Sequence, residues 1–366
     1  MNYKDLEKYF RKKNVLITGH TGFKGSWLLT WLSLYKSNLM GISLEPSTKP
    51  SHFNELKVKN RIKDVKLDIV NFKKLKKEII KFKPDFIFHL AAQPLVNISY
   101  KDPLKTWNTN LIGTLNILES LKFLKKKCVC VIVTSDKCYR NYEKKGGYKE
   151  EDELGGVDPY SASKGSAEIA VRSYIRSFYY DKKKYRIATA RAGNVIGGGD
   201  WTKGRLIPDC VVAAKNNKKV KIRNLNSTRP WQHILELVYG YLKLAAHLKK
   251  TPNLHGESFN FGPSNIKKKY LVSDILKEIK KSWKKFEWQK LNLNKKTINE
   301  TRLLILNSKK IKKMINWELQ MNFKQTINKT ISWYEAFYKM KKNNKNVFNL
   351  SKNQIENYAK KHLNLK

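Results

Sequence analysis

The sequence predicts an α/β fold in which a doubly wound parallel sheet is joined to a smaller C-terminal lobe. Short apolar runs such as 14–18 and 128–133 alternate with longer segments whose polarity suits helices. The run 128–133 is apolar throughout, which is typical of a parallel strand that is buried on both faces. We therefore assign residues 1–190 mainly to the sheet domain, with some later segments returning to it, and residues 191–366 mainly to the lobe and the C-terminal helices.

The length and composition restrict the class of protein. A chain of 366 residues, 41% of them hydrophobic, can form one large α/β domain with a smaller lobe. No apolar run is long enough to span a bilayer, and residues 1–13 lack the apolar core of a signal peptide, so we expect a cytoplasmic protein without membrane contacts. The four cysteines show neither a disulfide framework nor metal-ligand spacing, so we expect no bound metal.

The formal net charge of +45 raises the possibility of a nucleic-acid partner. The lysines are scattered along the whole chain, however, and lysine greatly outnumbers arginine, which nucleic-acid recognition uses for bidentate contacts and stacking. A bias of the whole genome toward Lys, Asn and Ile explains this pattern better. We therefore expect a solvated basic surface and no specific nucleic-acid partner.

A glycine-rich turn follows the first predicted strand, 14–18, and precedes a predicted amphipathic helix, 26–35. Glycines let the backbone turn sharply and approach a pyrophosphate, which the N-terminus of a helix then stabilises. The spacing is G-x-x-G-x-x-G instead of the usual G-x-G-x-x-G, so the signal depends on the position of the turn at the start of a βαβ unit. The candidate cofactor-binding residues of the turn are Gly19, Thr21, Gly22, Phe23 and Gly25.

The ends of the next two predicted strands leave the cofactor undecided. Dinucleotide-binding folds often place an acid after the second strand to bind the adenosine ribose, but here Ser43 stands near that position and Glu45 follows slightly late. This position therefore does not separate NAD from NADP. After the third predicted strand, 65–69, Asp68 with its neighbour Ile69 could meet the adenine, although Asp68 could equally be exposed or cap the following helix.

Small residues follow the fourth predicted strand. Ala91, Ala92 and Gln93 would let a flat ligand approach the backbone closely. Asn110 lies inside a long predicted helix, 102–124, where an asparagine is costly without a compensating interaction. We expect it either to bond backbone near the glycine turn or the active site, or to face solvent.

Five residues are candidates for catalysis. Ser135, Asp136 and Lys137 come directly after the apolar run 128–133, so they should emerge at the carboxyl edge of the sheet, where open α/β folds bind ligands. Tyr160 and Lys164 stand four residues apart and share one face if a helix begins there. We expect the ammonium group to lower the pKa of Tyr160, so that the phenolate acts as a base.

Arginines in the second half of the chain are candidate diphosphate clamps. Arg205 begins a predicted helix, Arg223 ends a short predicted strand, 220–223, and Arg229 lies in a predicted turn. Guanidinium groups at the mouth of a pocket suit a diphosphate. Three consecutive glycines, 197–199, mark a loop nearby.

With these segments the chain resembles the extended short-chain dehydrogenases/reductases and, within them, the nucleotide-sugar 4,6-dehydratases, most of all the branch that acts on CDP-glucose. The glycine turn and the Y-x-x-x-K pair mark only the superfamily, whereas the Ser-Asp-Lys triplet and the runs A-A-Q-P-L-V and G-N-V-I-G-G-G-D-W are far more specific. In dTDP-glucose relatives a glutamate stands where Lys137 stands here, which favours the CDP-sugar branch. The resemblance spans essentially the whole chain.

The resemblance implies a Rossmann-like fold with a substrate-binding C-terminal lobe, NAD as cofactor, a homodimer, and conversion of CDP-glucose to its 4-dehydro-6-deoxy product through internal hydride transfer. It makes Ser135, Tyr160 and Lys164 the superfamily triad, with Asp136 as the acid and Lys137 as the base of the dehydration. The implied cofactor-binding residues are Gly19, Thr21, Gly22, Phe23, Gly25, Asp68, Ile69, Ala91, Ala92, Gln93, Asn110, Tyr160 and Lys164. The implied substrate-binding residues are Gln93, Asn194, Arg205, Leu206, Pro208, Arg223 and Arg229.

Two alternatives stay open from the sequence. A 4-epimerase or another dehydratase of the same fold would need the triad and the cofactor, but an epimerase has no use for the added Asp136–Lys137 pair. A basic nucleic-acid-binding protein could retain the fold without the chemistry, since fold alone does not establish function. The intact set of Ser135, Tyr160 and Lys164 disfavours this second alternative.

Overall fold

The computed structural model describes residues 1–181, 184–263, 270–291, 303–340 and 346–365. The strands are β1 (Asn14–Thr18), β2 (Asn38–Ser43), β3 (Lys63–Lys66), β4 (Phe86–His89), β5 (Cys128–Val133), β6 (Tyr185–Ala192), β7 (Val195–Ile196), β8 (Val220–Ile222), β9 (Gln232–His233), β10 (Ser258–Phe261) and β11 (Trp288–Lys290). The helices are α1 (Tyr3–Phe10), α2 (Phe23–Leu34), α3 (His52–Leu56), α4 (Phe72–Phe82), α5 (Val96–Lys101), α6 (Pro103–Trp107), α7 (Gly113–Lys122), α8 (Pro159–Phe178), α9 (Leu206–Lys215), α10 (Ile234–Lys250), α11 (Val272–Ser282), α12 (Lys309–Ile315), α13 (Phe323–Lys339) and α14 (Val347–His362).

The main sheet has seven strands in the order β10-β6-β5-β4-β1-β2-β3, all paired in parallel. Both of its faces are buried. Along β1, for example, Val15 and Ile17 belong to one apolar cluster and Leu16 to the other. Side chains alternate between the two faces of a strand, so a run that is apolar at every position supplies both clusters. The predicted doubly wound α/β fold is confirmed.

The strand order reverses direction between β1 and β4. From this point the chain builds β2 and β3 on one side and β5, β6 and β10 on the other. The loops after β1 and β4 therefore diverge, and the crevice between them is where doubly wound sheets bind ligands. The glycine turn follows β1, and Ala91 to Gln93 follow β4.

Several predicted elements differ from the structure in extent. The third strand covers Lys63–Lys66 instead of 65–69, so Asp68 lies beyond its end. Helix α2 begins at Phe23, and it is buried around its whole circumference instead of being amphipathic, because α10 and α14 also pack against it. Further along the chain, Leu306 forms an isolated bridge with Tyr148.

Later parts of the chain both return to the main sheet and build separate small pairings. Strand β10 joins the edge of the sheet beside β6, whereas β11 pairs with β8 and β9 with β7. The division of the chain at residue 190 stays a prediction. In the described residues no helix has the length and apolarity needed to cross a membrane.

Candidate active site

The glycine turn after β1 is formed by a close approach of backbone to backbone. An added Cβ on Gly25 would lie 2.2 Å from the carbonyl oxygen of Gly19, and one on Gly19 would lie 2.7 Å from the backbone nitrogen of Ala91. Gly19 also has φ +74°, a conformation that favours glycine. Gly22 is the N-cap of α2, so the first backbone N–H groups of this helix border the turn. Such a cradle, in which the N–H groups of a helix N-terminus border glycines that carry no side chain, fits a dinucleotide pyrophosphate.

Thr21 and Phe23 flank this cradle. The hydroxyl of Thr21 donates a hydrogen bond to the carbonyl oxygen of Leu44 at 2.9 Å and lies 2.7 Å from the hydroxyl of Ser43. The end of β2 is therefore tied to the turn by hydroxyl groups, in the region where many dinucleotide-binding proteins carry an acid.

Asn110 lies in a short π-helical segment, Asn108–Ile112, between α6 and α7. Its side-chain oxygen accepts the N–H of Gln93 at 2.8 Å, and its amide nitrogen donates to the Gln93 carbonyl at 3.1 Å and to the Ser163 hydroxyl at 2.9 Å. Ser163 in turn donates to the carbonyl oxygen of Tyr160 at 2.7 Å. Asn110 thus ties the loop after β4 to the first turn of α8. The π-helical turn that carries it is a feature that is frequent at functional sites.

The predicted catalytic residues of β5 and α8 meet at the carboxyl edge of the sheet. The hydroxyl of Ser135 donates to the carboxylate of Asp136 at 2.9 Å, and it accepts the backbone N–H of Lys137 at 3.2 Å. The hydroxyl of Tyr160 is hydrogen-bonded to Ser135, so the two hydroxyl groups lie together. Ser135, Asp136, Tyr160 and Lys164 are buried, and Lys137 is half-buried.

Burial controls the protonation of this group. It raises the pKa of Tyr160 to about 12, so the expectation that Lys164 would lower this pKa is wrong: desolvation outweighs the neighbouring charges. Burial also lowers the pKa of Lys164 to about 8, opposed by Glu168. It raises the pKa of Asp136, opposed by Lys137, so this carboxyl is held nearer to the range of a general acid.

Lys24 is a further cation of the site that the sequence did not single out. Burial and the nearby Arg205 lower its pKa to about 8, whereas Asp136 raises it. A lysine between the glycines of the turn resembles a surface residue in the sequence. Only its position in the first turn of a helix that follows the glycine turn could have indicated that its side chain would lie within the site.

The three arginines predicted to bind the substrate have different environments. Arg205 donates to the carboxylate of Asp200 at 3.0 Å, and Asp200 is fixed because its backbone N–H donates to the Tyr334 hydroxyl at 3.0 Å. Arg229 is half-buried, and its charge acts on Asp136. Arg223 is exposed beyond the end of β8.

Other predicted residues are engaged with the protein itself. The Gln93 side chain bonds the backbone of Leu95 and donates to the Thr106 hydroxyl at 2.9 Å. Asp68 is exposed and accepts the N–H of Val70 at 3.0 Å, and the neighbouring Ile69 is buried. Of the remaining predicted residues, Ala91, Ala92, Asn194 and Leu206 are half-buried, and Pro208 is buried.

A buried ion pair beneath the site was also missed. Glu168 of α8 accepts hydrogen bonds from Arg191 at 2.8 Å and Thr189 at 2.8 Å on β6, and from Thr134 immediately before Ser135. This network fixes the helix that carries Tyr160 to the strands beside it. In the described residues no group of three or more His, Cys, Asp or Glu side chains could hold a metal ion.

Residues 16–330 match the sequence profile of the GDP-mannose 4,6 dehydratase family. The chain belongs to this family. It is 37% identical to the CDP-glucose 4,6-dehydratase of Salmonella typhimurium over 356 residues, which cover 96% of this chain and 98% of that protein. It is also 31% identical to a dTDP-D-glucose 4,6-dehydratase of Dictyostelium discoideum over 66% of this chain and 56% of that protein.

Solved structures agree with the fold. A dTDP-glucose 4,6-dehydratase of Bacillus anthracis, solved in complex with NAD, superposes with a TM-score of 0.70 at 24% identity and covers 88% of this chain and 96% of its own. An epimerase from Methanothermobacter thermautotrophicus superposes with a TM-score of 0.77 at 22% identity, with coverages of 92% and 96%. Membership of the 4,6-dehydratase family confirms the predictions of an enzyme, of a nucleotide-sugar substrate and of NAD as cofactor.

Proposed function

We propose that this 4,6-dehydratase family member converts CDP-glucose to CDP-4-dehydro-6-deoxyglucose. The observation that carries the proposal is the Asp136–Lys137 pair, which directly follows Ser135 and adds an acid and an amine to the Ser135, Tyr160 and Lys164 set. An enzyme that only moves a hydride at C4 has no use for this addition. The full-length similarity to a CDP-glucose 4,6-dehydratase supports the choice of the nucleotide.

In the proposed first step Tyr160 receives the proton of the sugar 4-hydroxyl, while Ser135 hydrogen-bonds the same oxygen. Burial holds the pKa of Tyr160 at about 12, so the phenolate needs stabilisation by a cation. In this proposal the Lys164 ammonium, one turn further along α8, would supply it. NAD, held at the glycine turn of Gly19, Gly22 and Gly25, would supply a reversible store for the hydride between C4 and C6, so the overall reaction would be the loss of one water.

In the proposed second step the Lys137 amine removes the proton from C5, which the neighbouring ketone has made acidic. Asp136 protonates the 6-hydroxyl, the C6–O bond breaks, and water leaves. The Lys137 ammonium then returns a proton to C5. Tyr160 has gained a proton and Asp136 has lost one, so exchange with solvent resets both.

The cation-rich wall of the site suits the rest of the substrate. Arg205, held by Asp200, together with Lys24 and Arg229 would bind the diphosphate, because guanidinium and ammonium groups in a partly dry site bind phosphate oxygens strongly. The opposite cradle at Gly19, Gly22 and Gly25 would hold the pyrophosphate of NAD.

The test is a panel of CDP-, dTDP-, UDP- and GDP-glucose incubated with the enzyme and NAD, with the 4-keto product measured. We expect CDP-glucose to be the best substrate. CDP-glucose deuterated at C4 should give product with deuterium at C6, because the hydride stays within one active site. Deuterium released to solvent or to free cofactor would contradict the mechanism, and a 4-epimer product would show the alternative activity.

We also propose a homodimer formed through α6, α7 and α8. These helices pack together with the π-helical segment between α6 and α7. Together they expose Leu104, Ile112, Ile169 and Phe178 with relative accessibilities of 75%, 38%, 50% and 53%. A second copy would cover this apolar surface, in agreement with the family resemblance. Light scattering should give twice the monomer mass, and Ile169→Asp should shift the protein toward monomers, whereas Val212→Asp on α9 should not. A monomeric wild type would refute this arrangement.

A further inference from the structure

Gly193 stands immediately beyond β6, between the candidate acid and the arginine-bearing turn. An added Cβ at this position would lie 3.0 Å from Oδ2 of Asp136 and 3.0 Å from Cγ of Pro230. Its φ angle lies outside the positive region, so the backbone conformation would admit other residues. The need for glycine here is therefore spatial: the residue lies in contact with a carboxylate on one side and a proline ring on the other.

The backbone at Gly193 has little room to move away. The carbonyl oxygen of the next residue, Asn194, accepts the N–H of Gln232 at 3.1 Å, and β7 pairs with β9 just beyond. These contacts fix the Gly193 segment against the segment that holds Pro230. On the other side, Ser135 donates to Oδ1 of Asp136 at 2.9 Å, so the second oxygen, Oδ2, is the one that lies against Gly193.

We propose that Gly193 is a positioning residue for Asp136: the missing side chain sets where the carboxyl group lies relative to the C6 hydroxyl of the sugar. This inference rests on the proposed function, because it concerns the acid of the dehydration step. A methyl group at this position would displace the carboxyl by a few tenths of an ångström, since the proline ring and the paired strands leave the methyl no other space. Misplacements on this scale reduce rates strongly, because proton transfer needs hydrogen-bond geometry in the transition state.

The structure predicts a selective defect for Gly193→Ala. Cleavage of the C6–O bond should slow by about tenfold or more. Removal of the C5 proton, measured as exchange with deuterium from heavy water, should change much less, because the three atoms nearest to the new methyl group all belong to Asp136 and Pro230. CDP-6-deoxy-6-fluoroglucose, whose leaving group depends less on an acid, should be turned over at nearly the wild-type rate. A variant that is merely less well folded would slow all three measurements together.

Two further variants complete the experiment. Gly193→Ala combined with Pro230→Ala removes the proline contact, so the methyl can move away from Asp136; this double variant should recover part of the lost rate relative to Pro230→Ala alone. Gly146→Ala is the matched control, because an added Cβ there would meet nothing within 4 Å. Its activity should equal that of the wild type.

The outcomes separate this inference from the proposed function. Wild-type dehydration of CDP-glucose with unchanged C6–O cleavage in Gly193→Ala would overturn the inference alone. The inference would also be overturned if the exchange, elimination and fluoride assays lost rate equally, or if neither the single nor the double variant folded. Either result would show that Gly193 serves only the fold. Wild-type enzyme without dehydratase activity on any nucleotide sugar would refute the proposed function and the inference with it.

Discussion

Lys137→Ala should form the ketone at C4 but release almost no dehydrated product. In our proposal Tyr160 and Ser135 serve the first step, whereas the Lys137 amine removes the C5 proton in the second. Loss of a positioned general base typically reduces a rate by about 10²–10⁴-fold. We therefore expect product formation to fall by about this factor. Reduced nicotinamide should accumulate after enzyme, NAD and CDP-glucose are mixed, which rapid-mixing fluorescence would detect.

Solvent exchange provides the decisive measurement for this variant. In heavy water the wild type should place deuterium at C5, and Lys137→Ala should lose this exchange along with elimination. Small primary amines added to the variant should restore part of both, because they supply the missing base within the space left by the side chain. Lys145→Ala, at an exposed position of the 143–157 loop, is the control and should behave as wild type. Normal elimination by Lys137→Ala would remove this residue from the mechanism.

The parts of the site that the sequence predicted are those fixed by local pattern. Ser135 to Lys137 follow an apolar strand, so their place at the sheet edge follows from the direction of the chain. Helix α8 begins at Pro159 because Asp158 caps it: the Asp158 side chain accepts the N–H of Ser161. Tyr160 is therefore the second residue of the helix. The periodicity of the helix then places Lys164 on the same face.

The parts that escaped prediction depend on residues distant in the chain. In the sequence Glu168 resembles any other acidic residue of a helix, because its partner Arg191 on β6 comes close only in the folded chain. The contact of Gly193 with Pro230 likewise forms only in the folded chain. The pKa of Tyr160 was predicted in the wrong direction for the same reason: spacing along a helix reveals a neighbouring charge, whereas desolvation depends on everything that covers the group. Lys24 was overlooked because its partners come from three separate segments.

Arg191→Met should destabilise the protein strongly and disturb the active site with it. The Arg191 and Glu168 side chains have relative accessibilities of 3% and 1%, and they are joined at 2.8 Å. Removing one member of a buried pair leaves an uncompensated charge, at a cost of about 3–5 kcal/mol in the free energy of unfolding. Chemical denaturation should show this loss. Turnover of CDP-glucose should fall as well, because Glu168 bonds Thr134 beside Ser135 and lies on the helix of Tyr160.

Arg140→Met is the matched control. Arg140 also forms a 3.0 Å pair with a glutamate, Glu153, but both side chains are more than half exposed. Water and salt screen such a pair, so its removal should change stability little. Equal effects of the two substitutions would show that burial of the Arg191–Glu168 pair does not matter, contrary to our interpretation.

The effect of Arg191→Met should also depend on pH in a predictable direction. Burial alone would raise the pKa of Glu168, but the charge of Arg191 and the hydrogen bonds from Arg191, Thr134 and Thr189 hold it below its usual value. A carboxyl group with a lowered pKa in the folded state stabilises the protein above its unfolded pKa of about 4.3, and this contribution is lost as the pH falls through the folded value. In the variant the unpaired carboxyl favours its neutral form, so protonation relieves the defect. The stability difference between wild type and Arg191→Met should therefore be largest near neutral pH and shrink in acid. If the difference instead stays constant down to the lowest pH at which both proteins fold, the lost charge interaction is not the cause of the destabilisation.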